Sequence, residues 1–418
     1  MDGVAQVASE AATTRIEKAT FRDVFAVREF RALWLAQVFS VAGDQLARVA
    51  MTVLVYDRTH SALWTALTYA VTFLPWVVGG LTLSGLADRL PRRQVMVACD
   101  IARLILVCLM ALVSLIVVPG PALWIMIVLL FLVTLLDSPF KSARSALVAD
   151  ILTGDRYVLA TAVTQTTFQI GMVSGFALGG VVVALLGVRT ALLADAATFG
   201  ASAILVWFWV SARPAPAHWR SRSGDMASGI RLVFGQRTLR TLVLFGWLDA
   251  FYVVPQSLAV PYAAQFRGIS LPVAAGLLFA SGPFGTMLGA IVFGRLVSPA
   301  RRRRWMGPLA VAACGLLLLC WLRPGLAASL LIFIASGACA AYQLPANASF
   351  VAAVPPDRRG QAFGLANGGM QASQGLWFIA AGAVAVTVAP AVVIAASGGV
   401  GAILAAALAK SWRRQSVE

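Results

Sequence analysis

The basic residues of this chain sit in alternate gaps between long apolar runs, an arrangement that leaves few architectures open. A helix needs about 20 apolar residues to cross a bilayer. The runs predict helices over 30–56, 62–87, 94–118, 122–149, 159–186, 189–210, 239–264, 271–297, 305–322, 326–351, 361–387 and 389–409. Inside hydrocarbon the backbone must bond to itself, and runs of this length do so as helices. Of the 33 Lys and Arg, 25 lie in the two tails or in the gaps after the even-numbered runs. The opposite gaps hold only Arg58, Arg189, Arg267 and Arg323, and Arg48, Arg103, Lys141 and Arg144 fall within runs. Excess Lys and Arg mark cytoplasmic loops. The expectation is an all-α integral membrane protein of the cell inner (plasma) membrane, multi-pass, with both termini cytoplasmic.

Composition removes the competing classes. Charged residues make up 12% of the chain against 60% hydrophobic, whereas a soluble domain averages about 25% charged. A net charge of +16 would suggest nucleic acid in a soluble protein. Here it reads as topology signal and contact with anionic lipid heads, with no nucleic-acid partner. Cys99, Cys108, Cys314, Cys320 and Cys339 all lie in apolar runs without metal-ligand spacing, and read as small core residues. The first 28 residues have no apolar stretch of the leader type, so no cleavable signal peptide is expected. No Walker loop is present, and the two histidines, His60 and His218, lie in loops. ATP as direct energy source, metal or nucleophilic chemistry, and a cofactor are therefore not expected. An enzyme is not expected on the same grounds.

The longest polar break, 211–236, divides the chain in two. The expected organisation is a cytoplasmic tail (1–28), a six-helix bundle (29–210), a central loop (211–238), a second six-helix bundle (239–409) and a tail (410–418). The halves echo each other. Gly85, Arg92 and Arg93 recur as Gly294, Arg301 and Arg302 at an offset of 209. Ser138-Pro139 and Leu344-Pro345 recur at 206, and Asp155, Gln165 and Gln169 recur as Asp357, Asn367 and Gln371 at 202. Consistent order indicates duplication, and twelve helices as two repeats related by a pseudo-two-fold axis form a transporter architecture with a midplane site. A monomer is expected.

Ionisable groups at the bilayer centre cost about 2.5–3.5 kcal/mol each on insertion scales, so those present point to function. Asp44 and Arg48 in the first span have the spacing to pair along one helix face. A proton on Asp44 would free Arg48. The fourth span carries Asp137, then Pro139, Lys141 and Arg144, with Lys141 one turn from Asp137 and Arg144 toward the cytoplasmic end as a gate residue. Asp249 in the seventh span has no basic residue within a turn, and Asp195 in the sixth ranks below these for a direct role. Asp44, Arg48, Asp137 and Asp249 are the candidate proton-coupling groups. Gln45, Gln165, Gln169, Trp247, Tyr252, Asn347, Asn367, Gln371, Gln374 and Trp377 are the candidate walls of a broad pocket with a few orienting polar groups.

The segment from Ser84 to Arg93, with Gly85, Asp88, Arg89, Arg92 and Arg93, resembles the loop signature of the major facilitator superfamily, and Ser84 and Pro91 replace two of its glycines. Gly43-Asp44-Gln45, Val55-Tyr56, Leu74-Pro75, the Asp100–Arg103 pair and Asp195 to Phe199 resemble the drug:proton antiporter branch that contains macrolide-efflux and siderophore-export pumps. Gly171, Gly175, Gly179 and Gly180 resemble the antiporter motif of the fifth span, with Phe176 in place of its proline. The resemblance covers essentially the whole chain. It implies a proton-coupled exporter of small amphipathic compounds working by alternating access. It also implies that spans one, four, seven and ten line the cavity, placing Asp44, Asp137, Asp249 and Asn347 on its wall. Asp88 would meet the start of the eleventh span near Gly360–Phe363, and Arg92 would join Asp150. An importer or lipid flippase of the same fold, and a non-transporting ligand sensor, are the alternative readings.

Overall fold

The computed structural model describes residues 20–75, 78–79, 90–115, 121–214, 226–355 and 358–415. Every regular element among them is helical. In the N-terminal half these are α1 (Phe21–Ala26), α2 (Arg28–Thr59), α3 (Ala62–Ala70), α4 (Arg92–Val113), α5 (Pro121–Ile151) and α6 (Gly154–Trp209). α6 is two helices joined at Gly187, whose φ of 80° needs a residue without a Cβ. Beyond it come α7 (Met226–Gly235), α8 (Arg237–Trp247), α9 (Asp249–Tyr252), α10 (Val254–Ser257) and α11 (Ala259–Ala263). The chain ends with α12 (Leu271–Leu296), α13 (Pro299–Gly315), α14 (Leu326–Cys339), α15 (Gln343–Ala353), α16 (Arg359–Val384) and α17 (Pro390–Gln415). Among the described residues, nine helical stretches are long and apolar enough to cross a membrane, with the two arms of α6 counted together. Leu185, Ile204, Phe208, Leu296 and Ile403 stand exposed on them, as an outer face in contact with lipid requires.

Several expected boundaries change for identifiable reasons. The span expected over 239–264 is four short helices, and Pro255 and Pro261 account for the breaks at Val253 and Leu258 by removing two backbone donors and crowding the preceding turn. The span over 326–351 tightens into a 3-10 turn at Ala340–Tyr342 before Pro345, and the span over 305–322 ends in 3-10 geometry from Leu316 to Leu322. The central segment, expected as a loop, contains α7, whose Leu232 and Val233 are buried. Gly229 lies beside Gln361, so α7 docks on α16. Only Ala62–Ala70 and a short continuation of the second span are described.

In the N-terminal half α6 runs along α2, and α4 packs on both α5 and α6. In the C-terminal half α12 pairs with α14 and α13 with α17. The halves meet where α12 lies on α6 and α16 on α3. The glycine series of α6 explains the first of these packings. A Cβ on Gly171 would stand 2.8 Å from Val41 Cγ1, and one on Gly175 would stand 2.9 Å from Gln45 Cβ. Small residues thus let α6 approach α2. Gly180 faces the other half, where a Cβ on Gly276 would stand 2.8 Å from its Cα. One apolar core passes through both halves at this end, while the end bearing Arg92 has a separate core in the N-terminal half alone.

The α12–α14 contact is equally tight, since a Cβ on Gly285 would lie 2.9 Å from Ile334 Cα. Gly285→Leu is expected to lower the thermal unfolding midpoint in detergent by the equivalent of roughly 1–3 kcal/mol through overpacking. Gly294→Ala, with open space around it, should leave the midpoint unchanged.

Candidate functional site

A cavity of about 420 Å³ lies between the halves at mid-depth. Asp44, Gln45 and Arg48 of α2, Asp137 and Lys141 of α5, and Gln169 and Met172 of α6 form its N-terminal wall. Asp249 and Tyr252 of α9, Gln256 of α10, Gln343 of α15, and Gln371 and Gln374 of α16 form the opposite wall. A second cavity of about 300 Å³ shares Lys141 and Phe168 with the first and continues past Arg144, Thr161 and Gln165 toward the end bearing Arg92. The fragmentation of the seventh span has a use here. Its breaks turn Asp249, Tyr252 and Gln256, from successive short helices, into one space.

Asp137 is the electrostatic centre of the N-terminal wall. Arg103 Nη2 donates to its Oδ1 at 2.6 Å and Lys141 Nζ lies 2.6 Å from its Oδ2. Asp44 and Arg48 have the i,i+4 spacing but make no ion pair with each other. Among the described residues no carboxylate lies within 4.0 Å of the Arg48 guanidinium, which instead lies 6.0 Å from the Phe73 ring centre. Asp195 packs behind Asp44, against Gly43. On the opposite wall Gln374 Nε2 donates to Asp249 Oδ2 at 2.5 Å, and Gln343 Nε2 donates to the Tyr252 hydroxyl at 2.6 Å. Amides on a wall can satisfy carboxyl groups or hydroxyls of a guest in either donor or acceptor sense.

The cavity ends in aromatic rings at the side where the halves touch. Phe176 of α6 stacks on Phe279 of α12 with centroids 5.2 Å apart and an interplanar angle of 17°. Phe279 stacks on Tyr69 of α3 at 5.4 Å and 26°, Tyr69 meets Phe378 of α16 at 5.6 Å, and Phe378 meets Phe73 at 5.2 Å. Successive rings belong to opposite halves. The Tyr69 hydroxyl adds a bond to Gln256 Oε1 at 2.6 Å, also between halves. Phe176 therefore fills the family's proline position with a ring that carries an interface.

The expected residues separate into three groups. Asp44, Gln45, Arg48, Asp137, Gln169, Tyr252, Asp249, Gln371 and Gln374 meet on the main cavity, and Gln165 and Arg144 on the second. Trp247, Trp377, Asn347 and Asn367 do not line either one. Trp247 donates to Ala366 O at 3.1 Å, and Trp377 donates to Ser397 Oγ at 2.8 Å while packing on Phe251, so both anchor helices. Asn347 and Asn367 are exposed. Arg92 bonds Asp150, and Arg93 bonds Trp207 O while lying 4.5 Å from the centre of that ring. Gly85, Asp88 and Arg89 lie outside the described residues. Local spacing does not point to Tyr69, Gln256, Gln343 or Phe279, whose partners are distant in the chain. Arg103 is visible as a lone basic residue within an apolar run, though its partner is not.

Long helices with a polar, charge-lined cavity between two halves define a multi-pass membrane protein. The sequence model of the Major Facilitator Superfamily matches residues 33–335, and the chain belongs to that family. It is similar to the enterobactin exporter EntS of Shigella dysenteriae serotype 1 (strain Sd197), 29% identical over 287 residues, covering 65% of this chain and 64% of that protein. The likeness to EntS of Citrobacter koseri (strain ATCC BAA-895 / CDC 4225-83 / SGSC4696) is 29% over 286 residues, with the same coverage. The chain thus spans 64% of the length of these curated relatives. In fold it is similar to the nucleoside transporter NupG, with a TM-score of 0.73, 13% identity and coverage of 92% and 98%. A bacterial homologue of the human lysosomal transporter Spinster, inward-facing and occupied, gives 0.70, 16%, 93% and 96%. A bacterial homologue of the iron transporter ferroportin, inward-facing, gives 0.66, 13%, 91% and 98%.

The ring series predicts a stability difference. Phe279, 1% exposed between two rings, should cost roughly 3–5 kcal/mol when truncated to Ala. Phe168→Ala, on the half-buried cavity wall, should cost far less in the same detergent unfolding measurement.

Proposed function

We propose that this transporter exports small amphipathic compounds from the cytoplasm in exchange for protons. The observation that carries the reading is the asymmetry of the cavity. It is roofed by five interleaved rings at the end bearing residues 62 and 187, and continues toward the arginine-rich end. With the arginine-rich end in the cytoplasm, this is the inward-open arrangement. The outward-open form arises when the bundles 29–210 and 239–409 rock about the cavity and separate the rings. Carboxyl groups at mid-depth, Asp44 and Asp249 on facing walls, then meet each compartment in turn. Arg92 and Asp150 hold α4 to α5 at the arginine-rich end, and the neighbouring Asp88 belongs by family pattern to the seal that closes this end.

The substrate class follows from the wall and the relatives together. Amide groups, aromatic rings and an Arg48 with no ion-pair partner among the described residues suit a guest with an apolar body and several oxygens, which includes siderophore-like compounds. The curated relatives are named as enterobactin exporters.

In cells lacking their own efflux pumps, expression should lower the internal level of ethidium, a macrolide or enterobactin. A protonophore should abolish the difference. A raised internal level would mean an importer, and retained export without a proton gradient would remove proton coupling. Asp44→Asn and Asp249→Asn should each cut gradient-driven efflux by at least about tenfold, the loss of about 1.4 kcal/mol of coupling, at unchanged membrane expression. Efflux at the parent rate from both would take these acids out of the mechanism.

A further inference from the structure

Arg103 of α4 is 1% exposed, at mid-length of a membrane-spanning helix. Its Nη2 donates to Asp137, while Nε and Nη1 have no hydrogen-bond partner among the described residues. The rings of Phe140 and Phe199 lie 5.0 and 5.3 Å from its guanidinium carbon and form a slot around it. Asp100, one turn back on the same helix and 0% exposed, accepts from the Ser202 hydroxyl through Oδ2 at 2.6 Å. Its Oδ1 has no hydrogen-bond partner among the described residues. Two nitrogens and one oxygen, all buried and all unsatisfied, thus lie one helical turn apart.

A guanidinium keeps its charge at every accessible pH, and a buried charge left alone is strongly destabilising. Arg103 therefore needs a carboxylate in every state of the protein. Asp137 is not a permanent one, because it borders the cavity and so meets water and protons. When a proton neutralises it, Lys141, with 30% of its side chain exposed, can turn into the cavity. Arg103 cannot leave. Asp100 offers it a free oxygen on its own helix, whereas Asp195 from α6 is held against Gly43 with Thr198 donating at 3.5 Å. Asp44 from α2 also faces Arg103, but it lines the same cavity as Asp137, meets the same water and protons, and is no more permanent a partner. The other charged or titratable groups facing this cluster are Arg144 from α5 and Cys99 on α4 itself.

We propose that Arg103 is the positioning residue of Asp137 and exchanges it for Asp100 when Asp137 takes up a proton. The proton arrives from cavity water at an Asp137 carboxylate oxygen. The Arg103–Asp137 ion pair breaks, and Arg103 pairs with Asp100 Oδ1. Release of the proton to the cavity reverses both changes, and the charge on Arg103 is constant throughout. The exchange moves a helix-anchoring contact from between α4 and α5 to within α4. Protonation of a cavity acid is thereby converted into loosened packing behind the wall. The inference rests on the proton-coupled reading above.

The test uses the purified full-length protein in nanodiscs, followed by infrared difference spectroscopy across pH. The protonated-carboxyl band absent from Asp137→Asn identifies Asp137. Arg103→Gln should raise the pH at which this band is half developed, because the ionised form loses a partner. Asp100→Asn should lower it by about one unit or more, about tenfold in proton affinity, because the protonated form loses the place to which Arg103 turns. Arg103→Lys and Asp100→Glu should restore the parent profile. Asp100→Ser serves where the Asn variant is not monodisperse. The fixed fields of the two charges alone would give the same opposing shifts, so the deciding signal is the Asp100 carboxylate stretch, identified by its absence from Asp100→Asn: exchange moves this band as the Asp137 band develops, and a static contact leaves it in place. An Asp100 band that stays in place, or an Asp137 band that never develops in the parent, overturns the proposal. If the Asp100 band moves with protonation of Asp137 but export ignores the proton gradient, the coupling reading falls and the exchange stands. If export follows the gradient and Asp100→Asn matches the parent, the exchange falls alone.

Discussion

Asp137 lies between two cations at 2.6 Å each, one from the neighbouring helix α4 and one from its own turn. An isolated arginine at the centre of an apolar bundle is among the costliest features a chain can carry. Burial of Arg103 is tolerated because a carboxylate meets it, and the fold of the N-terminal half is arranged to make that meeting possible. The glycine series of α6 brings that helix onto α2, α4 packs on α5 and α6, and Phe140 and Phe199 close over the guanidinium. The C-terminal half has no buried cation of this kind among the described residues. Its acid, Asp249, is met by an amide in place of a cation.

The halves are consequently unequal in chemistry though similar in layout. One wall of the cavity is ionic and rigidly cross-linked between helices. The other is built partly from short helical pieces, with amides of α15 and α16 donating to the Tyr252 phenol and the Asp249 carboxyl of α9. Proline breaks in a membrane helix are tolerated where the freed backbone lines a cavity, and here they do. A site with one stiff and one adaptable wall suits guests that share a charge pattern but differ in shape.

Much of this layout can be read from the residues in order. The apolar runs describe most of the helices among the described residues, because that pattern is local and set by the bilayer. Boundaries shifted where local breakers acted, as at Pro255, Pro261 and Pro345, and these were visible in the sequence. Pairings were less legible. The spacing of Asp44 and Arg48 matches a helix-face ion pair, yet the structure turns Arg48 to Phe73. Asp100 and Arg103 stand together in the sequence, yet Arg103 bonds Asp137, 34 positions away. Which carboxylate a buried cation meets depends on how helices rotate about their axes, and that is decided by the glycines and rings of neighbouring helices. Trp247 and Trp377 were equally ambiguous, since an indole packs as well on a backbone carbonyl behind the wall as on a guest inside it.

The ring series has a mechanical corollary. Ownership alternates from α6 to α12 to α3 to α16 and back to Phe73, just beyond α3, while Tyr69 and Phe73 also touch within their own half at 5.4 Å. In the proposed rocking of the bundles every inter-half pair would part together, like interlaced fingers drawn apart. Such a closure would have two states and few between them, which would guard against a leak in which solute slips past a half-opened lid.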